Sequence, residues 1–322
     1  MSYFSDREHF NDRTLTESIS INVWNGIAGL VNSLITNNNL AKDYSLLCPD
    51  GNGICGFDEH SFYMNAKSYI PTIDFLPDYG KIEPLPFNHF DPLPWEEQIS
   101  DRNQRIEQFK YDVLDFVEFV FKHICDVKND KYHEYRNHYE LIFLDTTIAR
   151  EKYIDDVNVL FQRNKAAFKL CPNGEIQRII DKQLCELIEE SIESQEETLY
   201  NLLDTAKTKI RSPKFEERQI AIEKLWDAYE RIKTVINPDN KKDSAAKLLE
   251  MIADGSTNME MVLSKERCEL DKIGNEYFQI RHSEMNKQPI EKSEHLDYLF
   301  FRMYCLVQLL LTKLEIRKSK TV

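Results

Sequence analysis

Nowhere does this sequence run apolar for the length of a bilayer. Its most hydrophobic stretch, Leu296–Leu314, carries Asp297, Arg302, Gln308 and Lys313. Those side chains are costly in lipid, so the stretch reads as a buried helix and no membrane partner is expected. The opening residues MSYFSDREHF lack a basic segment followed by an apolar core, so no secretory leader is expected either. Glycine is scarce, nine in 322 residues, beside long runs rich in Leu, Ile, Glu and Lys, a balance that favours helix. Basic charge is short as well: 41 Lys and Arg against 55 Asp and Glu leave a net charge of −14. That excludes a protein that coats nucleic acid non-specifically and a polybasic membrane binder, while leaving room for a local basic groove.

The cysteines are too irregular for a disulfide framework. Seven of them (Cys48, Cys55, Cys125, Cys171, Cys185, Cys268 and Cys305) are scattered without a CxxC pair. Reduced thiols in a cytoplasmic protein are the expectation.

Several catalytic signatures are missing. There is no GxxxxGK[ST], no GxGxxG after a strand and no GxSxG elbow. His133-Glu134-Tyr135-Arg136-Asn137-His138 is a near miss for HExxH. The second histidine is five residues on, about 500° around a helix and off the first one's face, so both read as surface or cap residues. Asp50-Gly51-Asn52-Gly53 starts like a calcium loop but has Cys55 at its sixth position and no closing glutamate. Cys48, Cys55 and His60 lack a fourth ligand. The expectation is no metal and no cofactor.

What is present is mostly helical periodicity. Apolar residues three or four apart mark helices at about 17–36, 103–126 and from Asp145 to about 164. Residues 48–95 hold seven prolines from Pro49 to Pro94 and read as an irregular wrap packed by Phe75, Tyr79, Phe87, Phe90 and Trp95. Two short apolar runs flank Pro172-Asn173-Gly174, a hairpin signal and the strongest β signal in the chain. Further helices are expected at about 181–193, 195–211, 214–236, 242–254, 257–285 and 293–318. The last keeps Leu296, Leu299, Met303, Leu306, Leu310 and Leu314 on one seam. The chain is therefore expected to be mainly α, with a helical domain at 1–165, a β-hairpin near 167–179 within a connector at 166–180, and a helical bundle at 181–322.

A set of short motifs carries a family resemblance. They are Phe4-Ser5-Asp6-Arg7-Glu8, Val23-Trp24-Asn25-Gly26, Cys48-Pro49-Asp50-Gly51, Arg163-Asn164, Asn173-Gly174 and the stretch Glu223–Arg231. Ile273-Gly274-Asn275, Ile280–Glu284 and Asp297–Phe300 complete it. On these the chain resembles bacterial abortive-infection (Abi) proteins with an AbiJ-type N-terminal domain and a C-terminal HEPN-like bundle. The resemblance implies a homodimeric, metal-independent endoribonuclease of phage defence. In such an enzyme a ribose 2′-OH attacks the adjacent phosphate, a histidine moves the proton and an arginine neutralises the phosphate. The HEPN pattern spaces histidine four to six residues beyond the Arg-polar pair. From Arg281 those positions are Asn286, Lys287 and Gln288, while His282 adjoins Arg281 and His295 follows later.

On one helix from 270 to 284, Leu270, Ile273, Tyr277, Ile280 and Arg281 share an apolar stripe spanning about 60° either side of Tyr277. Asn275 and His282 fall on the polar face. The catalytic candidates are Arg281, His282, Glu284, Asn275 and His295. Against them stands an Arg281–Glu284 or Arg281–Asp297 pair that merely ties helices. Lys207, Lys209, Arg211 and Lys214 form a basic cluster that could meet RNA phosphates, tRNA being the expected substrate class. Trp226 and Tyr229 read as core. The alternative function is a non-catalytic defence module whose bundle dimerises and whose N-terminal domain binds a phage or partner protein.

Overall fold

The computed structural model describes residues 15–50, 53–71, 95–180, 187–188, 196–234, 237, 239–277 and 289–319. The chain divides into two compact units, residues 1–179 and 180–322. Each has its own hydrophobic core.

The first unit runs α1 (Ile21–Thr36), β1 (Ser45–Leu47), β2 (Ile54–Phe57), α2 (Glu59–Tyr69), α3 (Trp95–Gln108) and α4 (Lys110–His123). It continues with β3 (Asp126–His133), β4 (His138–Leu144), α5 (Ile148–Arg163), β5 (Phe168–Leu170) and β6 (Ile176–Arg178). The strands form three separate antiparallel hairpins. Helix α1 buries Ile21, Val23, Trp24, Ile27, Ala28 and Val31. Its opening amides are not capped by Ser20. Instead the Ile21 N–H donates to Asn103 Oδ1 at 2.9 Å, and the preceding Ile19 N–H donates to Glu107 Oε2 at 3.0 Å, so α3 closes the start of α1. Trp24 meets Phe116 of α4 with ring centroids 5.8 Å apart.

Phe62 on α2 is the hub of this core. It is fully buried, and the rings of Tyr44, Phe57, Tyr63, Phe116 and Phe119 surround it at 5.2 to 6.5 Å, mostly edge-on. Helix α2 starts where Asp58 accepts the Ser61 N–H at 3.1 Å, and the Ser61 hydroxyl and amide hold the Asp58 carboxyl below its ordinary value.

Among the described residues the second unit comprises α6 (Glu197–Lys209), α7 (Phe215–Ile232), α8 (Lys241–Ala253), α9 (Thr257–Glu276) and α10 (Ser293–Ser319). Trp226 and Tyr229 are buried, as their helical spacing predicts. Gly274 lets α9 approach α7 closely, since a Cβ there would stand 2.5 Å from Trp226 Nε1. Lys233 is buried with its ammonium 2.6 Å from Glu230 and 2.8 Å from Asp271, which ties the end of α7 to α9. The seam of α10 is real: Leu296, Leu299, Met303, Leu306 and Leu310 are all buried in this unit's core. No helix among the described residues is long and apolar enough to cross a membrane.

The mainly α class holds, with two corrections. Among the described residues there are three hairpins where the sequence predicts one. Strand β4 buries no residue fully and its half-buried and exposed positions do not alternate strictly, so no period-2 signal marks it. The wrap predicted over 48–95 is regular at 54–57 and 59–69; its aromatics Phe75, Tyr79, Phe87 and Phe90 lie outside the described residues. The hairpin at 167–179 packs Phe168, Leu170 and Ile176 into the first unit's core.

Replacing Phe62 by alanine removes the shared contact of five rings. The expected cost is about 3–5 kcal/mol, seen as a fall in Tm on the order of 10 °C for the first unit in calorimetry.

Candidate functional site

The β3–β4 hairpin turns through Glu134-Tyr135-Arg136-Asn137, with Asn137 in the left-handed region at φ 51°. That turn makes His133 and His138 the pair that closes the ladder. Directly opposed residues point to the same face of a hairpin, and the two imidazoles stack with centroids 5.0 Å apart and planes 27° apart. The helix geometry that separates these histidines in the sequence reading therefore does not apply.

Cys48 completes the cluster. It follows β1, and its N–H donates to the Gly53 carbonyl at 2.8 Å to close the loop into β2. Strand β2 lies against β4, and Gly53 lies beside the Glu140 side chain. The buried Cys48 Sγ is then 3.6 Å from His133 Nδ1 and 3.3 Å from His138 Nε2. These three atoms lie within 4.8 Å of one another. On its other side His133 Nε2 is 2.7 Å from Glu140 Oε1. Asp50 Oδ2 stands 3.5 Å from His133 Nδ1, and Arg136 Nε stands 3.8 Å from Asp50 Oδ1. Burial, with the neighbouring Cys48 adding to it, holds the Cys55 thiol above its ordinary value.

A second polar group adjoins the aromatic core. The Tyr44 hydroxyl lies 2.6 Å from Asn65 Oδ1 and 3.2 Å from His123 Nε2, and His123 Nδ1 is 2.7 Å from Asp43 Oδ2. Burial, with Asp43 adding to it, pushes the Tyr44 hydroxyl up to about 12, so it stays a neutral donor at physiological pH. A cavity of 410 Å³ beside it is lined by Asn65, Tyr69, Asp115, Glu118, Lys122 and His123, among others. Burial also raises the Glu118 carboxyl, against the lowering effect of the Ile176 N–H that donates to it at 2.6 Å.

The nuclease candidates fare differently. Arg281, His282 and Glu284 lie outside the described residues. The helix predicted over 257–285 ends at Glu276, and Tyr277 is extended (φ −102°, ψ 130°), so the projection that joined Asn275 to His282 stops there. Asn275 is exposed on the last turn of α9, and His295 is exposed on the first turn of α10. Asp297, one alternative partner for Arg281, stands 4.0 Å from the buried Arg218. Lys207 and Lys209 end α6, and Arg211 and Lys214 occupy the turn into α7. Lys209 is paired with Glu217. Burial, reinforced by Arg211 and opposed by Asp204, holds the Lys207 ammonium below the ordinary lysine value.

The sequence pattern of the family described as AbiJ N-terminal domain 4 matches residues 2–194, more than half of the chain. The chain belongs to the AbiJ N-terminal domain 4 family, and that membership points to abortive infection, a phage defence. No curated protein and no solved structure matches it.

Glu140 is the side chain that fixes the orientation of His133, whose side chain is 9% exposed. Glu140→Ala leaves a nearly buried imidazole N–H without its acceptor. The expected cost is about 1–3 kcal/mol in urea unfolding, with the m-value unchanged.

Proposed function

We propose that this chain is an abortive-infection effector. In this reading the AbiJ-type unit receives the infection signal and the helical second unit, HEPN-like and homodimeric, cleaves tRNA or other cellular RNA without a metal. The observation that carries the reading is the arrangement along the chain: the family match covers 2–194, the first unit and the start of the second, and the second unit, helical among its described residues, has its own core. His282 moves the 2′-OH proton, Arg281 neutralises the phosphate, and Glu284, Asn275 and His295 orient them. Asn275 and His295 support this by standing exposed at the two helix ends that bracket the Arg281 segment. Lys207, Lys209, Arg211 and Lys214 hold the RNA backbone. They support it by sharing one corner of the unit, although the Glu217 carboxylate offsets part of that charge.

A second reading rests on one observation, the absence of histidine at positions 286–288. There the bundle dimerises without catalysis and the first unit binds a phage or partner protein.

Incubating purified protein with total tRNA, with and without EDTA, separates the two. The effector reading expects cleavage that survives brief chelation and is lost in Arg281→Ala and His282→Ala, both shown to be folded by circular dichroism. Intact tRNA with the folded wild type moves the assignment to the binding module. In both readings the wild type sediments as a dimer at micromolar concentration, and a monomer there overturns the homodimer. Leu306 and Leu310 are core residues, so they cannot report on that interface.

A further inference from the structure

The four strands that bring Cys48, His133 and His138 together bury very little. Within β1, β2, β3 and β4 Gly56 alone is buried, while Leu46, Leu47, Tyr132, Tyr139, Ile142 and Leu144 are exposed. Two-stranded hairpins with so little apolar burial are marginal in water and need another tie. The loop after β1 and the tip of β3–β4 meet instead through polar contacts, Asp50 with His133 and Arg136, and the Cys48 sulfur with both histidines.

The atoms that meet there are electron-rich. If His133 donates its Nε2 proton to Glu140, as the 2.7 Å distance favours, its Nδ1 lone pair faces Cys48 Sγ at 3.6 Å and Asp50 Oδ2 at 3.5 Å. A lone pair, a sulfur and a carboxylate converging on one point are held together either by a proton, as in an S–H···N hydrogen bond, or by a cation that all three can ligate. The two sulfur-to-nitrogen distances, 3.6 and 3.3 Å, and the 3.5 Å from His133 Nδ1 to Asp50 match three edges of a tetrahedral centre. Bonds of about 2.3 Å to sulfur and 2.0 Å to nitrogen or oxygen set S···N at about 3.5 Å and N···O at about 3.3 Å. The contact from Glu140 to the far nitrogen of His133 is the outer carboxylate that such ligands need to fix their tautomer.

We propose that Cys48 Sγ, His133 Nδ1 and His138 Nε2 bind one zinc-class divalent ion that staples the β1–β2 loop to the β3–β4 hairpin, with Asp50 the carboxylate beside the fourth position. One thiolate and two imidazoles suit zinc or cobalt and not magnesium or calcium, which take oxygen ligands. Binding displaces the Cys48 thiol proton to solvent. The site lies in the first unit, is independent of the RNA reading, and gives the AbiJ-type unit a part that chelation or thiol oxidation would loosen.

The test uses the full chain, purified without a histidine tag or chelator. Elemental analysis is expected to find one zinc per chain. Cobalt titrated into the zinc-stripped protein is expected to give a thiolate-to-cobalt charge-transfer band and the intense visible bands of tetrahedral cobalt. Cys48→Ser abolishes the charge-transfer band, and Glu140→Gln weakens metal affinity about tenfold while keeping it. Cys55→Ser leaves the band in place and serves as the folded comparison should Cys48→Ser not fold. EDTA lowers the wild-type Tm by several degrees. Zinc at trace level with no cobalt band in the folded wild type overturns the site and leaves a hydrogen-bonded Cys–His cluster. A band lost in Cys55→Ser, or retained in Cys48→Ser, overturns this ligand set.

Discussion

One phenyl ring organises the first unit. Phe62 is packed edge-on or tilted against five other rings, four of which belong to other segments. Phe57 brings in β2, Tyr44 the segment before β1, and Phe116 and Phe119 the long face of α4. Because aromatic edges and faces carry opposite partial charge, such a cluster fixes orientation as well as burial. The position of Cys48, between β1 and β2, is thereby inherited from a hydrophobic contact some residues away. Tyr44 extends the same cluster outward to Asn65, His123 and Asp43, where the hydrogen bonds of a polar site begin.

The β1–β4 region obeys a different rule. Its strands have almost no core of their own, and polar contacts do the holding: Cys48 with both histidines, His133 with Glu140, Asp50 with His133 and Arg136. A network of this kind is stable only if each member is satisfied, since a lost partner leaves a half-buried group without water. The second unit is the reverse case. Its helices interlock through Trp226, Tyr229, Phe300, Tyr304 and the α10 leucines, with Gly274 admitting the Trp226 ring and the Lys233 ion pairs closing the end of α7. Local opening is therefore easier in the hairpin lobe than in the helical unit.

Amphipathic periodicity made α1, α4, α7 and α10 legible, because a helix's buried stripe is written in its own residues every three or four positions. The same reasoning placed Trp226, Tyr229 and the α10 seam in the core, and the motifs around Trp24, Cys48 and Asn173 pointed to the family that residues 2–194 match. Composition and charge excluded membrane spans and general nucleic-acid coating without reference to any contact. What failed was the reading of short elements: α2 was hidden in a proline-rich stretch, and α9 stops at Glu276 where periodicity carried on.

The candidate site was out of reach for a sharper reason. His133 and His138 are five residues apart, a spacing that separates them on a helix and joins them across a four-residue hairpin turn. Cys48 is 85 residues from His133 and meets it only because β2 lies against β4. The sequence by itself determined the helical class, the core stripes and the family, all of which depend on neighbours along the chain. Tertiary structure alone decided which cysteine faces which histidine, because that pairing is set by strand register and by the packing of Phe62, neither of which any local window of residues contains.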